Sequence, residues 1–281
     1  MLKRIKLFLV PGLPSRSCNM IEQGLKNHPN VELVDQPYEG EFILLHNSRY
    51  VPGKTKFNPD QLVYIDFSDK GDVKPPKAAA TFRRTSPQGT PFRPITFAVM
   101  DEFIYEKNYS PTIDLGCYLR KHPWHLRRDD VVDMLKKHKW KNAKTMIQPV
   151  NNAGRGEFNK EYFDTLYNTK LNITCSPAPY SLGDWRTWEC LVSGATVFMD
   201  VFNIAVLQHP LIRDVHYLSY DPGTKKGLDV LIVKLEYYLN YENGTDDLGR
   251  EFVLKYHRSV NRIDNILSII SPDHVYVKEG E

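Results

Sequence analysis

The sequence of 281 residues is poor in cysteine, with only four. Cys18, Cys117, Cys175 and Cys190 are scattered along the chain and form no CxxC pair. This spacing excludes a disulfide-rich scaffold and a cysteine-ligated zinc site of the usual kind. We expect four free thiols in a reducing compartment, and therefore a cytoplasmic protein.

Long apolar runs are also missing, and so is a strong charge of one sign. No stretch of about 18 apolar residues occurs, so no membrane-spanning helix is predicted. The apolar start, Leu2–Val10, is too short for a signal peptide and carries Lys3, Arg4 and Lys6, so we interpret it as a first β-strand. The net charge of +3 predicts no general attraction to nucleic acid or to membranes.

One local excess of positive charge lies between Arg120 and Lys144, where nine Lys or Arg residues accompany three Asp residues. A nucleic-acid surface is one interpretation of this run. The other, which we favour, is the solvated face of a helix. We therefore expect no nucleic-acid partner.

Short apolar segments alternate with helical patterns in two successive parts of the chain, which is typical of parallel α/β sheets. In the first part the predicted strands are Ile5–Val10, Val31–Val34, Phe42–Leu45, Leu62–Phe67 and Ala78–Phe82. The turn-rich segment Pro87–Pro94 separates them from a second series. In that series the predicted strands are Thr112–Cys117, Thr145–Val150, Leu171–Cys175, Ala195–Met199 and Val215–Tyr220. We predict two Rossmann-like domains, a small N-terminal one over residues 1–94 and a C-terminal one over residues 95–281.

The most informative segment is Tyr180–Asp200. Arg186 and Glu189 are three apart on a predicted helix, so they share a face, and Ser193-Gly194 ends that helix. A cation and a carboxylate near a helix N-terminus suit a nucleoside diphosphate. The cation and the free N–H groups bind the diphosphate, and the carboxylate accepts two ribose hydroxyls. The alternative is a surface Arg–Glu pair of little energetic consequence.

Two loops add candidates for the same ligand. Gly154 and Arg155 follow the predicted strand Thr145–Val150, where ligands bind in α/β sheets, and glycine lets a phosphate approach the backbone. The alternative for Arg155 is a flexible loop charge. Tyr180 and Ser181 precede the helix and either contact phosphate or sugar, or cap the loop.

The order of residues from Tyr162 to Asp200 resembles the C-terminal signature of exostosin-like glycosyltransferases. That signature has an aromatic helix, Cys-x-Pro, a Tyr/Ser loop, Arg, then Glu, a small-Gly pair and an apolar strand ending in Asp. The matching residues here are Tyr162, Phe163, Cys175, Pro177, Tyr180, Ser181, Arg186, Glu189, Ser193, Gly194 and Asp200. The resemblance covers about residues 110–270 and is weak before them. Trp188 and Cys190 flank Glu189 where the family usually has Phe and Ala.

The resemblance implies a GT-B-type fold, in which two Rossmann-like domains face a cleft. It implies an inverting transfer, by single displacement, from a UDP-sugar to a glycan hydroxyl. Glu189 would bind the ribose, and Arg186 and Arg155 would neutralise the departing diphosphate. The short chain is similar to compact members found in large algal DNA viruses, among them a xylosyltransferase. That similarity implies xylose as the sugar and the host cytoplasm as the location.

The general base must come from the N-terminal part, where the resemblance gives no help. Asp69 and Asp72 lie in the loop after the predicted strand Leu62–Phe67, and one of them is our first choice. The alternative for both is a surface turn. His46, at the end of another strand, is the second choice. Arg16 is a weaker candidate for contacts with the acceptor.

No DxD motif and no His/Cys cluster with metal spacing occurs, so we expect neither a metal requirement nor a cofactor. A non-catalytic nucleotide-binding or glycan-binding protein of the same fold remains an alternative. So does a fucosyltransferase or rhamnosyltransferase that uses another nucleotide sugar. The acceptor, the linkage and the oligomeric state, a homo-oligomer included, stay open.

Overall fold

The computed structural model of the chain describes residues 3–11, 15–50, 56–68, 74–84, 92–119, 126–147, 160–176, 183–200, 207–241 and 247–276. Within these residues, the strands form two separate parallel sheets that follow one another along the chain.

The first sheet contains β1 (Ile5–Leu9), β2 (Val31–Val34), β3 (Phe42–His46), β4 (Leu62–Asp66), β5 (Ala80–Arg83) and β6 (Arg93–Pro94). All neighbours are parallel, and the order across the sheet is β2-β1-β3-β4-β5-β6. β3 and β4 are apolar along most of their length, as expected for strands covered on both faces. Because the strands are parallel, the carboxyl ends of β3, β4 and β5 bring His46, Asp66 and Arg83 to one edge.

The second sheet contains β7 (Ile113–Cys117), β8 (Thr145–Ile147), β9 (Thr169–Thr174), β10 (Thr196–Asp200) and β11 (Leu218–Tyr220). It is also entirely parallel, in the order β11-β10-β9-β7-β8. The central strands β9 and β10 are almost completely buried. Their carboxyl ends place Cys175, Ser176 and Asp200 at one edge of this sheet.

In the part of the chain that the structure describes, seven α-helices accompany the sheets: α1 (Arg16–Asn27), α2 (Leu126–Lys137), α3 (Lys160–Tyr167), α4 (Trp185–Val192), α5 (Lys225–Tyr241), α6 (Leu248–Tyr256) and α7 (Ser259–Ile270). α1 begins after Ser15, whose side chain accepts a hydrogen bond from the backbone N–H of Cys18. α4 begins with a reciprocal capping pair between Asp184 and Thr187. It ends at Gly194, whose φ of +81° lies in the left-handed region that favours glycine.

The last helices link the two sheets. α7 packs against α1, and Val99 exchanges backbone hydrogen bonds of 2.9 Å with His257 and Ser259. Arg262 of α7 is buried and donates to the carbonyls of Thr96 and Phe97. The segment between the two sheets, which includes Thr96, Phe97 and Val99, is therefore held in place by α7 and the residues just before it. The domain boundary after residue 94 stays a prediction, because α7 lies on the N-terminal sheet's side of the molecule.

The largest buried apolar cluster is continuous across the two sheets. It includes Leu7 and Val63 from the first sheet, Trp188 and Met199 from the second sheet's layer, and Ile263 from α7. Because one core joins both parts, the carboxyl edges of the two sheets are held facing each other.

The fold class predicted from the sequence is confirmed. Each expected strand occurs within a few residues of its predicted bounds, although only the first three residues of the expected strand at 145–150 lie in the part of the chain that is described. α1 begins at Arg16 because Ser15 caps it. The four cysteines are free and buried, as expected. Among the described residues, no helix is long and apolar enough to cross a membrane.

Candidate functional site

The carboxyl edges of the two sheets meet at a group of charged and aromatic side chains. Arg84, directly after β5, donates to the carbonyl oxygen of Gly183 at 3.1 Å, one residue before the cap of α4. Arg16, at the start of α1, forms an ion pair with Glu189 of α4. In open α/β sheets this edge is where ligands bind. We define the junction site as Arg16, Arg84, Arg128, Tyr162, Asp184, Trp185, Arg186 and Glu189.

Glu189 lies in the second turn of α4 and only 3% of its surface is exposed. One carboxylate oxygen pairs with Arg16, and the other accepts a hydrogen bond of 2.8 Å from the hydroxyl of Tyr162. Burial, together with this neighbouring carboxylate, raises the pKa of Tyr162 well above its usual value, so the hydroxyl keeps its proton. Glu189 is therefore a carboxylate with both oxygens occupied, one by each half of the molecule.

Arg186 occupies the second position of α4, one turn before Glu189. Its Nε is buried and has no hydrogen-bond partner within the residues that the structure describes. Burial by itself lowers the pKa of Arg186, but Tyr162, Asp184 and Glu189 more than offset that effect and raise it. The side chain is thus a permanent cation with an unused donor beside the first turn of a helix, an arrangement that suits an anion.

Aromatic rings stack through the junction site from the first sheet to α4. Phe67 stacks on Phe97 at 5.3 Å between centroids, and Phe97 stacks on Trp185 at 4.2 Å. The guanidinium of Arg16 lies over the ring of Trp185, 3.6 Å from its centroid. This cation–π contact fixes the position of the cation independently of its carboxylate partner.

A second buried pair supports the start of α4. Arg128 of α2 donates to the carbonyl oxygen of Cys175 at 2.8 Å and pairs with Asp184. Burial opposes ionisation of Asp184, but Arg128, Arg186 and Arg84 hold the pKa of Asp184 below its usual value. Asp184 is therefore ionised and fully engaged in capping α4. Arg128 belongs to the basic run of the sequence, yet its side chain points inward.

Asp200, at the end of β10, is fully buried. One carboxylate oxygen accepts from the backbone N–H of Ser176 at 2.8 Å, and within the described residues the other has no hydrogen-bond partner. Burial raises the pKa of Asp200 to about 6. This carboxylate lies at the same sheet edge as the junction site.

His46, predicted as an alternative base, ends β3 and is buried. Its Nδ1 accepts a hydrogen bond of 3.1 Å from the backbone N–H of Ser48, so the ring proton of the neutral form is on Nε2. Nε2 lies 2.9 Å from the hydroxyl of Ser17 and donates to it. Burial, with the neighbouring charge of Arg49, lowers the pKa of His46 to about 4. The imidazole is neutral near pH 7, but both nitrogens are engaged, and its role as a base stays a prediction.

The structure brings Arg186 and Glu189 together, as the sequence predicted, and adds residues that the sequence analysis did not identify. Six predicted residues, Asp69, Asp72, Gly154, Arg155, Tyr180 and Ser181, lie outside the described residues. Arg84 was not predicted from the sequence, although an arginine two residues after the end of a predicted strand is a usable signal. Arg16 was predicted only as a weaker candidate for contacts with the acceptor.

Among the described residues, no three His, Cys, Asp or Glu side chains gather as a metal site, and Asp69 and Asp72 lie outside those residues. Metal independence therefore stays a prediction.

An open surface groove of about 750 Å³ lies between α2 and α5. It is lined by Met134, Lys137 and Leu228, among others, on the outer side of the second sheet and away from the junction site.

A scan of protein-family models finds no match, and a search of curated proteins finds none either. Solved structures do match over nearly the whole chain. Anabaena HepE in complex with UDP and glucose is 11% identical with a TM-score of 0.58, and the match covers 96% of this chain and 100% of that one. A glycosyltransferase from Rickettsia africae is 10% identical with a TM-score of 0.57, covering 96% and 99% of the two chains. Sucrose-phosphate synthase from Thermosynechococcus elongatus is 12% identical with a TM-score of 0.54, covering 84% and 75%. At such low identity the likeness shows the fold alone, and it confirms the GT-B-type fold.

Proposed function

We propose that this chain is a glycosyltransferase that binds a nucleotide sugar at the junction site. One observation carries the proposal: Arg186 and Glu189 lie side by side at the start of α4, where the carboxyl edges of both sheets meet. The fold is shared over its full length with HepE, whose structure contains UDP and glucose. No substrate follows from that likeness, so the argument rests on the side chains themselves.

The charges of the junction site suit a diphosphate. Four guanidinium groups surround two carboxylates there, those of Arg16, Arg84, Arg128 and Arg186 around Asp184 and Glu189. Asp184 is already used as a helix cap, and Arg128 is used to hold it. Arg186 retains an unpartnered Nε, and the first turn of α4 adds the positive end of the helix dipole. We assign the diphosphate to Arg186, with Arg155 as a further proposed contact.

Glu189 is the group we assign to the ribose. A carboxylate accepts two vicinal hydroxyls through its two oxygens, which neutral side chains do less well. Arg16 and Tyr162 each hydrogen-bond to one of those oxygens. Because only 3% of the surface of Glu189 is exposed, ribose hydroxyls reach these oxygens only if at least one of the two partners moves.

The proposed reaction is a single displacement with inversion at the anomeric carbon. The acceptor oxygen forms a bond to that carbon as the bond to the diphosphate oxygen breaks, and the acceptor proton passes to a base. Charge grows on the departing diphosphate, where Arg186 stabilises it most in the transition state. We propose Asp69 or Asp72 as the base, because the hydrogen bonds of His46 leave no free nitrogen lone pair.

The finer assignments rest on the resemblance of residues 162–200 to exostosin-like enzymes. They are UDP as the nucleotide, xylose as the sugar, a glycan hydroxyl as the acceptor and no metal requirement. Tyr162 supports this proposal, because the aromatic helix of the signature delivers its hydroxyl to the glutamate of the signature.

A thermal-shift screen of UDP-sugars and GDP-sugars tests the proposal, since a ligand that binds the native state raises its apparent stability. We expect one nucleotide class to raise Tm, and its sugar to be transferred to a glycan acceptor with release of the nucleoside diphosphate. Nucleotide binding without transfer or hydrolysis would favour the non-catalytic alternative. No shift with any nucleotide or nucleotide sugar would overturn the proposed function.

A further inference from the structure

Arg16 is a cation of the N-terminal part that reaches the carboxylate assigned to the ribose. It begins α1, in the helix layer of the first sheet, while Glu189 belongs to α4 of the second. The two side chains are 173 positions apart in sequence and form a direct ion pair. Glu189 is almost fully buried, so Arg16 provides charge compensation that solvent does not provide.

The ion pair occupies an oxygen that a ribose would need. A buried carboxylate that loses its cation without replacement is unstable, so Arg16 and the ribose hydroxyls are alternative partners of the same group. Tyr162 does not compete in the same way, because it occupies the other oxygen as a neutral donor and is held in the helix α3. Arg16 is therefore the partner of Glu189 that we expect a ribose to displace.

The stacking on Trp185 determines where Arg16 remains after such an exchange. Its guanidinium lies 3.6 Å from the centroid of that ring, and Trp185 directly precedes Arg186 in the first turn of α4. A guanidinium that leaves Glu189 but stays on this ring is still beside the start of α4. There it adds a second positive charge next to Arg186, at the position assigned to the diphosphate.

We infer that Arg16 is a positioning residue that exchanges partners when the nucleotide binds. In the free protein it neutralises Glu189 and thereby opposes binding of a bare nucleoside. When a nucleoside diphosphate enters, Arg16 leaves the carboxylate to the ribose and pairs with the diphosphate. The exchange makes the site selective for nucleotides that carry phosphates, and this inference rests on the proposed function.

The test compares uridine with UDP by calorimetry, on the full chain and on Arg16→Ala. Loss of the competing cation should tighten uridine binding by roughly tenfold, the effect of one charge-assisted hydrogen bond. UDP should gain nothing or lose affinity, because its diphosphate loses a cation. The ratio of the uridine dissociation constant to the UDP dissociation constant should therefore fall by at least tenfold. Arg16→Lys should lie between the two, since it keeps the charge but not the planar fork.

Two further variants keep the test decisive. Arg258→Ala breaks another Arg–carboxylate pair, with Asp101, whose two residues are not part of the junction site, and should leave the ratio unchanged. Arg16→Gln replaces Arg16→Ala if the alanine variant does not fold. Unchanged or weaker uridine binding in the folded Arg16 variants would overturn the inference. If calorimetry detects no UDP binding to the unaltered protein, the proposed function itself fails. That outcome is distinct from a failure of the exchange inference, which is judged on uridine binding.

Discussion

His46 should make the protein sensitive to acid in a defined pH range. Burial lowers the pKa of His46 from 6.5 to about 4, while the unfolded chain keeps the ordinary value. As the pH falls below 6.5, the unfolded state binds a proton that the folded state refuses. The stability that depends on neutral His46 is therefore complete above pH 6.5 and is lost as the pH falls toward 4. At 1.36 kcal/mol for each pKa unit, the full loss is about 3 kcal/mol.

The measurement is urea unfolding at several pH values between 7 and 4. His46→Asn keeps an acceptor oxygen near the position of Nδ1, facing the N–H of Ser48, but cannot be protonated. Other buried histidines such as His257 also make the stability depend on pH. The informative quantity is therefore the unfolding free energy of the unaltered protein minus that of His46→Asn. This difference should decrease by about 3 kcal/mol as the pH is lowered from 7 to 4. Parallel curves for the protein and His46→Asn would refute the reasoning.

Three further predictions follow from the charged groups of the site. Arg128→Gln should cost about 3 kcal/mol of unfolding free energy, because it leaves the carboxylate of Asp184 buried without its cation, and an undiminished urea midpoint would contradict this. Arg186→Ala should lower turnover strongly at saturating donor, with partial recovery in Arg186→Lys, whereas near-normal turnover of the alanine variant would exclude Arg186 from stabilising the leaving group. Activity should persist in excess EDTA, and a complete loss that Mn²⁺ or Mg²⁺ restores would point to the loop of Asp69 and Asp72 as a metal site.

Most of the fold could be predicted from the sequence because its strands are short, apolar and separated by polar turns. β4 is the clearest case, because the run LVYID is buried throughout. The start of α1 is not marked by the apolar pattern, because Arg16 and Ser17 are polar, and the cap at Ser15 determines it.

The sequence was sufficient to predict only those site residues that lie close together on one segment. Arg186 and Glu189 lie on a single helix, so their spacing was sufficient. Arg16 and Arg84 come from elements far away in sequence, and the local pattern contains nothing that pairs them with α4. The sequence also presented Glu189 as an open carboxylate, whereas the folded chain satisfies it with Arg16 and Tyr162. Long-range ion pairs of this kind depend on how the two sheets meet, which periodicity does not specify.

The most direct test of the central claim is calorimetric titration of UDP into the protein and into Glu189→Gln. The variant keeps the shape of the side chain and an oxygen for Tyr162 but removes the charge assigned to the ribose. We predict measurable UDP binding to the protein and a loss of roughly 1.5–3 kcal/mol of binding free energy in the folded variant. Glu251→Gln, at an exposed position of α6, is the matched control and should bind UDP normally. Equal UDP affinity of the protein and Glu189→Gln would contradict the assignment of the nucleotide to the junction site.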